Sequence, residues 1–357
     1  MTVPVTRRQF LGAASIATLG LGSASGQKEL LPKPTRWPQD RRSAVSLTFD
    51  DAMRSQLDNA RPILKKHGIR GTFFVITGPG SSWLKRARDW RQLAAEGNEI
   101  GSHTVNHPCL LERNFNSQKY SREMMLREVR ESSRAIIARV GARRGLTFAY
   151  PCGDMTFGPP AQQSLNQALY LSDVAEYFFA ARAYNSWAPV VPEALNPLTV
   201  PVLGWTEGKD SRQLLARMEP LSQRHTWGVY TFHGVGGQWL SVSKETLEEV
   251  ASYLERHPEI WTAPFGDVVR YIQESKALGI RMVESASQHF QFSLNWPMDP
   301  TIYDLPLTLQ WTLPSSWNSC RAYADGKPVT SSKLMRPGGV TALVDIRPRT
   351  EALEFRA

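Results

Sequence analysis

Short apolar segments alternate with amphipathic helical segments along most of this chain, and this alternation restricts its fold more than any other feature. The segments 121–140 and 243–257 show the spacing of apolar side chains that predicts a helix. Strands that alternate with helices are typical of a parallel sheet, and about eight of them favour a (β/α) barrel. We therefore predict an α/β fold, an irregular (β/α) barrel of roughly seven to eight strands. The predicted strands are 44–49, 71–76, 98–103, 146–151, 176–183, 198–203, 227–232 and 260–265.

The residues after Ala277 lose the helical period. Apolar and polar positions alternate there, and Asp325-Gly326 is typical of a tight turn between antiparallel strands. This pattern predicts a small all-β domain. Its tryptophans either bind sugar or fill the domain core, and core packing is the commoner role; they are Trp296, Trp311 and Trp317.

The first residues have the pattern of a twin-arginine export signal. Arg7 and Arg8 precede a mildly apolar run at 10–21, and small residues follow near Ser25. A short membrane anchor is the alternative, but the run is too short and too rich in Gly, Ala, Ser and Thr to span a bilayer. We predict export to the periplasm or the extracellular space, with no stable membrane span in the mature protein.

These features divide the chain into four predicted parts. The divisions are an export signal at 1–25, a lead-in segment at 26–42, the barrel at 43–276 and the β domain at 277–357.

Charge and cysteine content narrow the class of protein further. The formal net charge is +9, but the basic residues are dispersed and form no run typical of a nucleic-acid-binding arm. We predict no nucleic-acid partner. The three cysteines, Cys109, Cys152 and Cys320, lack C-x-x-C spacing, so the sequence indicates neither a disulfide framework nor a cysteine zinc site. At most one disulfide within the chain is compatible with this count.

Polar motifs follow four of the predicted strands. Asp50 and Asp51 end the first strand, His103 and His107 follow the third, "YPCGD" ends the fourth, and His233 follows the strand 227–232. Taken alone, the two aspartates are more often a helix cap, and the histidine pair is a weak metal signal. In a parallel barrel, however, all four strand ends face one active surface. Two histidines and one carboxylate on a metal leave coordination positions open for water and substrate.

These motifs together resemble the polysaccharide deacetylase family, which includes chitin, peptidoglycan, xylan and nodulation-factor deacetylases. The resemblance runs from about Ser43 to Ile272 and rests on "TFDD", "SHTVNHP", "YPCG" and "TFHG" in that order. It implies a metal-dependent hydrolase that removes N- or O-linked acetyl groups from a carbohydrate polymer or oligosaccharide, with metal-bound water attacking the acetyl carbonyl.

The resemblance also implies a role for each motif residue. The metal ligands would be Asp51, His103 and His107, holding a divalent metal, most often Zn²⁺, with Co²⁺, Mn²⁺, Ni²⁺ or Fe²⁺ as other options. Asp50 would be the catalytic base and His233 the general acid. The backbone N–H of Cys152 would stabilise the oxyanion.

The chain departs from the family pattern at two points. Ala149 stands where many members carry an arginine that pairs with the base, and the aspartate and tryptophan pattern that tunes the acidic histidine has no clear match. Asp154 either replaces one of these partners or caps a helix. Trp187 and Trp205 either stack on sugar or pack the barrel rim.

Other functions are compatible with parts of the pattern. A cyclic amide or imide hydrolase would share the barrel and the metal, but an export signal argues against a cytosolic small-molecule role. A non-catalytic carbohydrate-binding relative is the other alternative, although the full set of motif residues argues against it. A non-haem iron oxygenase also uses two histidines and a carboxylate, but none of the motif histidines His103, His107 and His233 begins the H-x-[DE] spacing of that class.

Overall fold

The computed structural model describes residues 31–141, 145–184 and 187–357, apart from the side chain of Trp205. The predicted export signal at 1–25 lies outside these residues. Among the helices described, none combines the length and the apolar character that crossing a bilayer requires.

Helices and strands alternate from residue 43 to residue 277. The strands of this region are β2 (Ser43–Asp50), β3 (Thr72–Val75), β4 (Glu99–Ser102), β5 (Thr147–Ala149), β6 (Ala180–Arg182), β7 (Gly204–Trp205), β8 (Trp227–Phe232) and β9 (Ile260–Thr262), preceded by β1 (Lys33–Pro34). The α-helices are α1 (Arg61–Lys66), α2 (Ser82–Lys85), α3 (Ala87–Ala95), α4 (Arg122–Val140), α5 (Gln163–Tyr177), α6 (Ser211–Arg224), α7 (Lys244–Arg256) and α8 (Phe265–Ala277). A π-helical turn, Gln56–Ala60, leads into α1.

The strands form one curved sheet in the order β6-β5-β4-β3-β2-β8-β7, and β9 pairs with the first half of β2. Every pairing in this sheet is parallel. All eight residues of β2 are buried, as expected for a central strand covered on both faces. The predicted α/β barrel architecture is confirmed.

The segment 197–206 brings the two edges of the sheet together. Ala181 of β6 donates to the Pro197 carbonyl at 2.7 Å, and Ala183, the residue after β6, donates to the Val200 carbonyl at 2.8 Å. Leu203 donates to Val229 of β8 at 2.8 Å. The predicted strand at 198–203 is therefore extended but irregular, and regular pairing begins only at Gly204. Pro201 lies inside this segment and has no N–H to donate to a ladder, which explains the interruption.

The predicted strand at 176–183 begins later than expected. Helix α5 continues to Tyr177, and only Ala180–Arg182 forms a strand. The aromatic residues at 177–179 lie at the junction, and Phe178 packs in the core beneath the helix end. Because the end of the helix and the start of the strand are both buried, both consist of apolar residues, and the sequence does not show where one element ends and the other begins.

Antiparallel strands follow α8. They are β10 (Gly279–Ala286), β11 (His289–Asn295), β12 (Leu307–Thr312), β13 (Arg321–Ala324), β14 (Lys327–Val329), β15 (Ser331–Arg336), β16 (Gly339–Ile346) and β17 (Ala352–Arg356). One sheet has the order β10-β11-β17-β13-β14, and the other has the order β1-β12-β16-β15. The lead-in segment thus contributes a strand to the C-terminal sheets.

Two of the three C-terminal tryptophans form the core between these sheets. Trp311 and Trp317 are buried, and the Trp311 ring stacks on Phe355 with centroids 4.5 Å apart. Trp296 is partly buried and donates to the carbonyl of Thr350 at 2.8 Å. These positions explain all three tryptophans as packing residues. The division of the chain at 25, 42 and 276 into separate units stays a prediction.

Candidate active site

Asp50, the last residue of β2, carries a buried carboxylate. Its side chain is 1% exposed, and Oδ2 accepts a hydrogen bond from Arg182 Nη2 at 2.5 Å and one from the Tyr184 hydroxyl at 3.3 Å. Burial would raise the pKa of Asp50, but the charge of Arg182, with smaller contributions from His103 and His233, lowers it to about 2. Asp50 is therefore ionised throughout the neutral pH range.

Arg182 fills the place left open by Ala149. The two residues are register partners on the neighbouring parallel strands β6 and β5, so their side chains leave the sheet on the same face. Besides Asp50, the guanidinium donates to the hydroxyls of Thr48 and Thr231, both at 2.8 Å. The arginine that pairs with the proposed base thus comes from the adjacent strand. Arg182 belongs to no sequence motif, so this pairing is visible only in the fold.

Asp51 follows directly, in a left-handed backbone conformation with φ of 73°. This turn brings its carboxylate to the same cavity as that of Asp50, although successive residues of a strand face opposite sides. Burial, followed by the adjacent Asp50 charge, raises the pKa of Asp51 to about 7. Its buried Oδ1 has no hydrogen-bond partner among the described residues.

Both predicted ligand histidines point a ring nitrogen at this oxygen. Nε2 of His103 and Nε2 of His107 each lie 3.7 Å from Asp51 Oδ1. The other nitrogen of His103 bonds to the Ala149 carbonyl at 2.8 Å, which makes it the proton-carrying nitrogen. Nδ1 of His107 lies 3.5 Å from Glu112 Oε1. Three potential ligand atoms consequently converge, and such a donor set could hold a divalent cation.

Glu128 on α4 holds the loop between the two histidines. Its buried carboxylate accepts hydrogen bonds from the backbone N–H groups of Val105 and Asn106, at 2.9 and 2.8 Å, and from the Asn106 side chain at 2.7 Å. His107 has φ of 58°, so the histidine pair lies in a tight loop and not in a helix. Nothing in the sequence distinguishes Glu128 from the exposed acids of the same helix.

His233 follows β8 and completes the cluster. Its Nε2 lies 4.0 Å from Asp51 Oδ2, and its backbone carbonyl accepts from Gln56 Nε2 at 3.1 Å. The same Gln56 amide bonds to the Asp50 carbonyl, which ties the ends of β2 and β8 together. Burial lowers the pKa of His233, while the charge of Asp50 acts in the opposite direction.

The "YPCGD" motif forms a turn beside the cluster. Cys152 has φ of 52° and forms a disulfide with Cys109, the one disulfide that the cysteine count permitted. Asp154 accepts a hydrogen bond from the backbone N–H of Leu110 at 2.6 Å. It thus ties the histidine loop to this turn and is not placed to replace the missing arginine, a role that Arg182 occupies.

The structure describes the side chain of Trp187 but not that of Trp205. Trp187 is 56% exposed and stacks on Tyr184, with ring centroids 5.9 Å apart and planes inclined by 25°. Trp205 lies in β7, where its backbone is the register partner of Thr231, and its side chain is outside the described structure.

The clustered residues line an open cavity of about 610 Å³. Its outer wall is apolar and includes Leu111 and Trp239, which are 81% and 68% exposed, and Phe115. Trp239 lies on a loop fixed by several backbone hydrogen bonds, among them Gly234 N–H to the Trp239 carbonyl at 3.1 Å. Large exposed apolar side chains around a polar centre are typical of a ligand-binding cleft.

Comparison with known proteins gives three findings that concern the barrel or the whole chain. Residues 38–168 match the family described as polysaccharide deacetylase. A gellan lyase from a Bacillus species is 25% identical over 341 residues, which cover 87% of this chain and 13% of that protein. A peptidoglycan-N-acetylglucosamine deacetylase from Listeria monocytogenes is 27% identical over 124 residues, covering 33% of this chain and 24% of that protein. The chain thus spans a quarter or less of the length of these two relatives.

Among solved structures, a putative polysaccharide deacetylase from Mycobacterium smegmatis is similar, with a TM-score of 0.46 and 15% identity. The alignment covers 70% of this chain and 96% of that one.

Proposed function

We propose that this chain, whose residues 38–168 match the polysaccharide deacetylase family, is a metal-dependent hydrolase that removes acetyl groups from a carbohydrate polymer or oligosaccharide. The observation that carries the proposal is the convergence of Asp51, His103 and His107 on one point, with Asp50 and His233 lining the same cavity. Water is the co-substrate, and the products are acetate and a free amine or hydroxyl on the sugar.

The proposed ligand set is Asp51, His103 and His107. The unpartnered Oδ1 of Asp51 and the two imidazole nitrogens 3.7 Å from it fit a divalent cation of the zinc type. When bound, such a cation acidifies water and polarises a carbonyl oxygen. It would also offset the burial of Asp51 and its repulsion with Asp50, which together raise the pKa of Asp51.

Asp50 is the proposed proton acceptor. Arg182 keeps it ionised, and its second oxygen, Oδ1, has no hydrogen-bond partner among the described residues, which leaves an acceptor atom in the cavity. Arg182 and Tyr184 both bond to Oδ2, so they fix the orientation of the carboxylate. A fixed, ionised acceptor beside the reacting water is what general base catalysis requires.

His233 is the proposed proton donor to the departing sugar atom. Burial lowers its pKa, so the imidazole is neutral until a proton reaches it during the reaction, and nearby Asp50 favours the charged form. An amine leaving group needs this proton more than an alkoxide does. The backbone N–H of Cys152, in the turn that lines the cavity, is the proposed donor to the oxyanion.

A carbohydrate chain is the proposed substrate. The aromatic and aliphatic wall formed by Leu111, Phe115 and Trp239 offers flat apolar surface beside polar groups, a combination that suits the two faces and the hydroxyl edge of a sugar ring. The gellan lyase aligns with 87% of this chain, and it too is named for a polysaccharide.

We further propose that the protein is exported through the twin-arginine signal. Cell fractionation that separates the precursor from the mature protein tests this proposal.

Released acetate tests the proposed reaction. The metal-loaded protein is incubated with peptidoglycan, N-acetylated chito-oligosaccharides and O-acetylated xylan, and acetate is quantified with the new amines. We expect acetate from at least one of these substrates. Binding to a polymer without acetate release would favour the non-catalytic alternative. Turnover of cyclic amides or imides alone would favour the other hydrolase class.

A further inference from the structure

The disulfide between Cys109 and Cys152 lies beside His107, on the wall of the proposed active site. Ligand atoms of these three residues lie within 4.8 Å of one another. We propose that, once the disulfide is reduced, the two thiols and His107 form a second metal site that takes a thiophilic divalent cation such as Zn²⁺. This proposal concerns metal binding alone and does not rest on deacetylase activity.

The ligand chemistry supports this site. Two thiolates and one imidazole are three of the four ligands of a tetrahedral zinc site, with Zn–S distances of about 2.3 Å and Zn–N distances of about 2.0 Å. Ligand atoms of such a site lie about 3.5–4 Å apart. The three atoms all lie within 4.8 Å of one another, and breaking the S–S bond lets the two sulfurs separate to the distance that a shared cation requires. Cys152 and His107 both line the cavity, so the fourth position faces solvent or substrate.

The two cysteines are held close by more than the disulfide. The backbone of Cys109 donates to the Phe115 carbonyl and accepts from Ser117 N–H, both at 3.2 Å. Asp154, two residues after Cys152, accepts from the N–H of Leu110, the residue after Cys109, at 2.6 Å. These bonds remain when the S–S bond is broken, so the thiols stay placed for a shared ligand.

His107 belongs to both ligand groups. It lies 3.7 Å from Asp51 Oδ1 in the first group and within 4.8 Å of the cysteine sulfurs in the second. A cation held by the thiols would therefore take His107 from the first group. The redox state of the disulfide thus decides where one cation is bound, and the expected stoichiometry is one cation per chain in either state.

The chemistry balances with a small dithiol as reductant. Its thiolate attacks Cys152 Sγ from the cavity and releases the Cys109 sulfur as a thiolate. The second thiol of the reductant then displaces Cys152, leaving two protein thiols and a cyclic disulfide. Binding of the cation releases the two thiol protons.

Cobalt spectroscopy tests the proposal. Co²⁺ is added to the oxidised and the dithiol-reduced protein, in a Cys320→Ser background that removes the remaining, buried cysteine. Thiolate sulfur bound to Co²⁺ gives an intense near-ultraviolet charge-transfer band, which oxygen and nitrogen ligands do not give. We expect this band only after reduction, with one equivalent of Co²⁺ bound, and its loss on reoxidation.

Two variants separate the sites. Cys109→Ser/Cys152→Ser should give no charge-transfer band in either state, whereas His103→Ala, which damages only the first group, should keep the band after reduction. Two results together would overturn the proposal. The reduced protein would stay folded and show three titratable thiols while Cys320 is present, and it would give no charge-transfer band after the Cys320→Ser change. Unfolding on reduction, monitored by circular dichroism, would overturn it as well, because the site requires both thiols to stay in place.

Discussion

Arg182 and Asp50 form a buried ion pair between strands β6 and β2, with both side chains 1% exposed and Nη2 2.5 Å from Oδ2. A buried carboxylate that loses such a partner keeps its desolvation penalty without compensation. This pair sets the charge state of the proposed base, and it comes from a strand that carries no recognised motif.

We therefore expect Arg182→Ala to destabilise the fold by roughly 3–5 kcal/mol, as measured by denaturant unfolding. Turnover should fall while the affinity for metal changes little, since Arg182 contacts none of the proposed ligands directly. The matched test is Arg182→Ala/Ala149→Arg, because residue 149 is its register partner on β5. Partial recovery of turnover is expected. Unchanged turnover in Arg182→Ala would show that Asp50 needs no arginine partner.

Glu128 is expected to control metal affinity without contacting the metal. Its carboxylate fixes the backbone of Val105 and Asn106, between the two ligand histidines. Replacing groups that orient ligands typically lowers metal affinity by about 10–100-fold, and we expect Glu128→Gln to fall in this range. Competition titration with a chelator measures it. Glu123→Gln on the same helix, with a side chain 87% exposed, is the control and should bind metal normally.

The sequence predicted the barrel because strands and helices follow from local patterns. Strand ends are visible as breaks in apolar runs, which is why the sequence predicted that Asp50, Asp51, His103, His107 and His233 lie close together, as they do in one cavity. Their roles stay a prediction. Arg182 was missed because it lies inside a short strand, where the register with β5 decides its role. Cys109 and Cys152 are 43 residues apart, and nothing in their spacing indicates pairing.

The roles of base and acid differ in their dependence on the leaving group. General acid catalysis typically contributes about 10²–10⁴-fold, and a stable leaving group needs it least. We expect His233→Ala to lose activity of this order on an N-acetyl sugar but much less on an activated aryl acetate. Asp50→Asn should be nearly inactive on both, since the residue proposed to accept the proton from water is lost.

Both substrates must be measured on one metal-loaded preparation, since loss of metal would depress both rates. Equal defects of His233→Ala on the two substrates, at unchanged metal content, would assign it to positioning or oxyanion stabilisation.

Trp239 is expected to bind a sugar unit of the substrate through its exposed ring. Trp239→Ala should raise KM for an acetylated oligosaccharide, since stacking on an aromatic ring contributes about 0.5–1.5 kcal/mol, or roughly 2–13-fold. KM for a small aryl acetate should hardly change. Trp239→Phe should preserve most of the affinity. Met335→Ala, which changes an 80% exposed apolar side chain on the C-terminal sheets, is the control. An equal rise in KM for both substrates would remove Trp239 from the sugar-binding wall.

The most direct test of the metal-dependent mechanism follows acetate release and bound metal together in the same samples. The protein is stripped with a chelator and reloaded with Zn²⁺, alongside His103→Ala and the control His257→Ala, whose ring bonds to Glu259 outside the cavity. Stripping should abolish acetate release, and one equivalent of Zn²⁺ should restore it in the unsubstituted protein and in His257→Ala. His103→Ala should bind little Zn²⁺ and release no acetate. Full activity of the stripped protein, or full zinc occupancy and activity in His103→Ala, would contradict the assigned metal site.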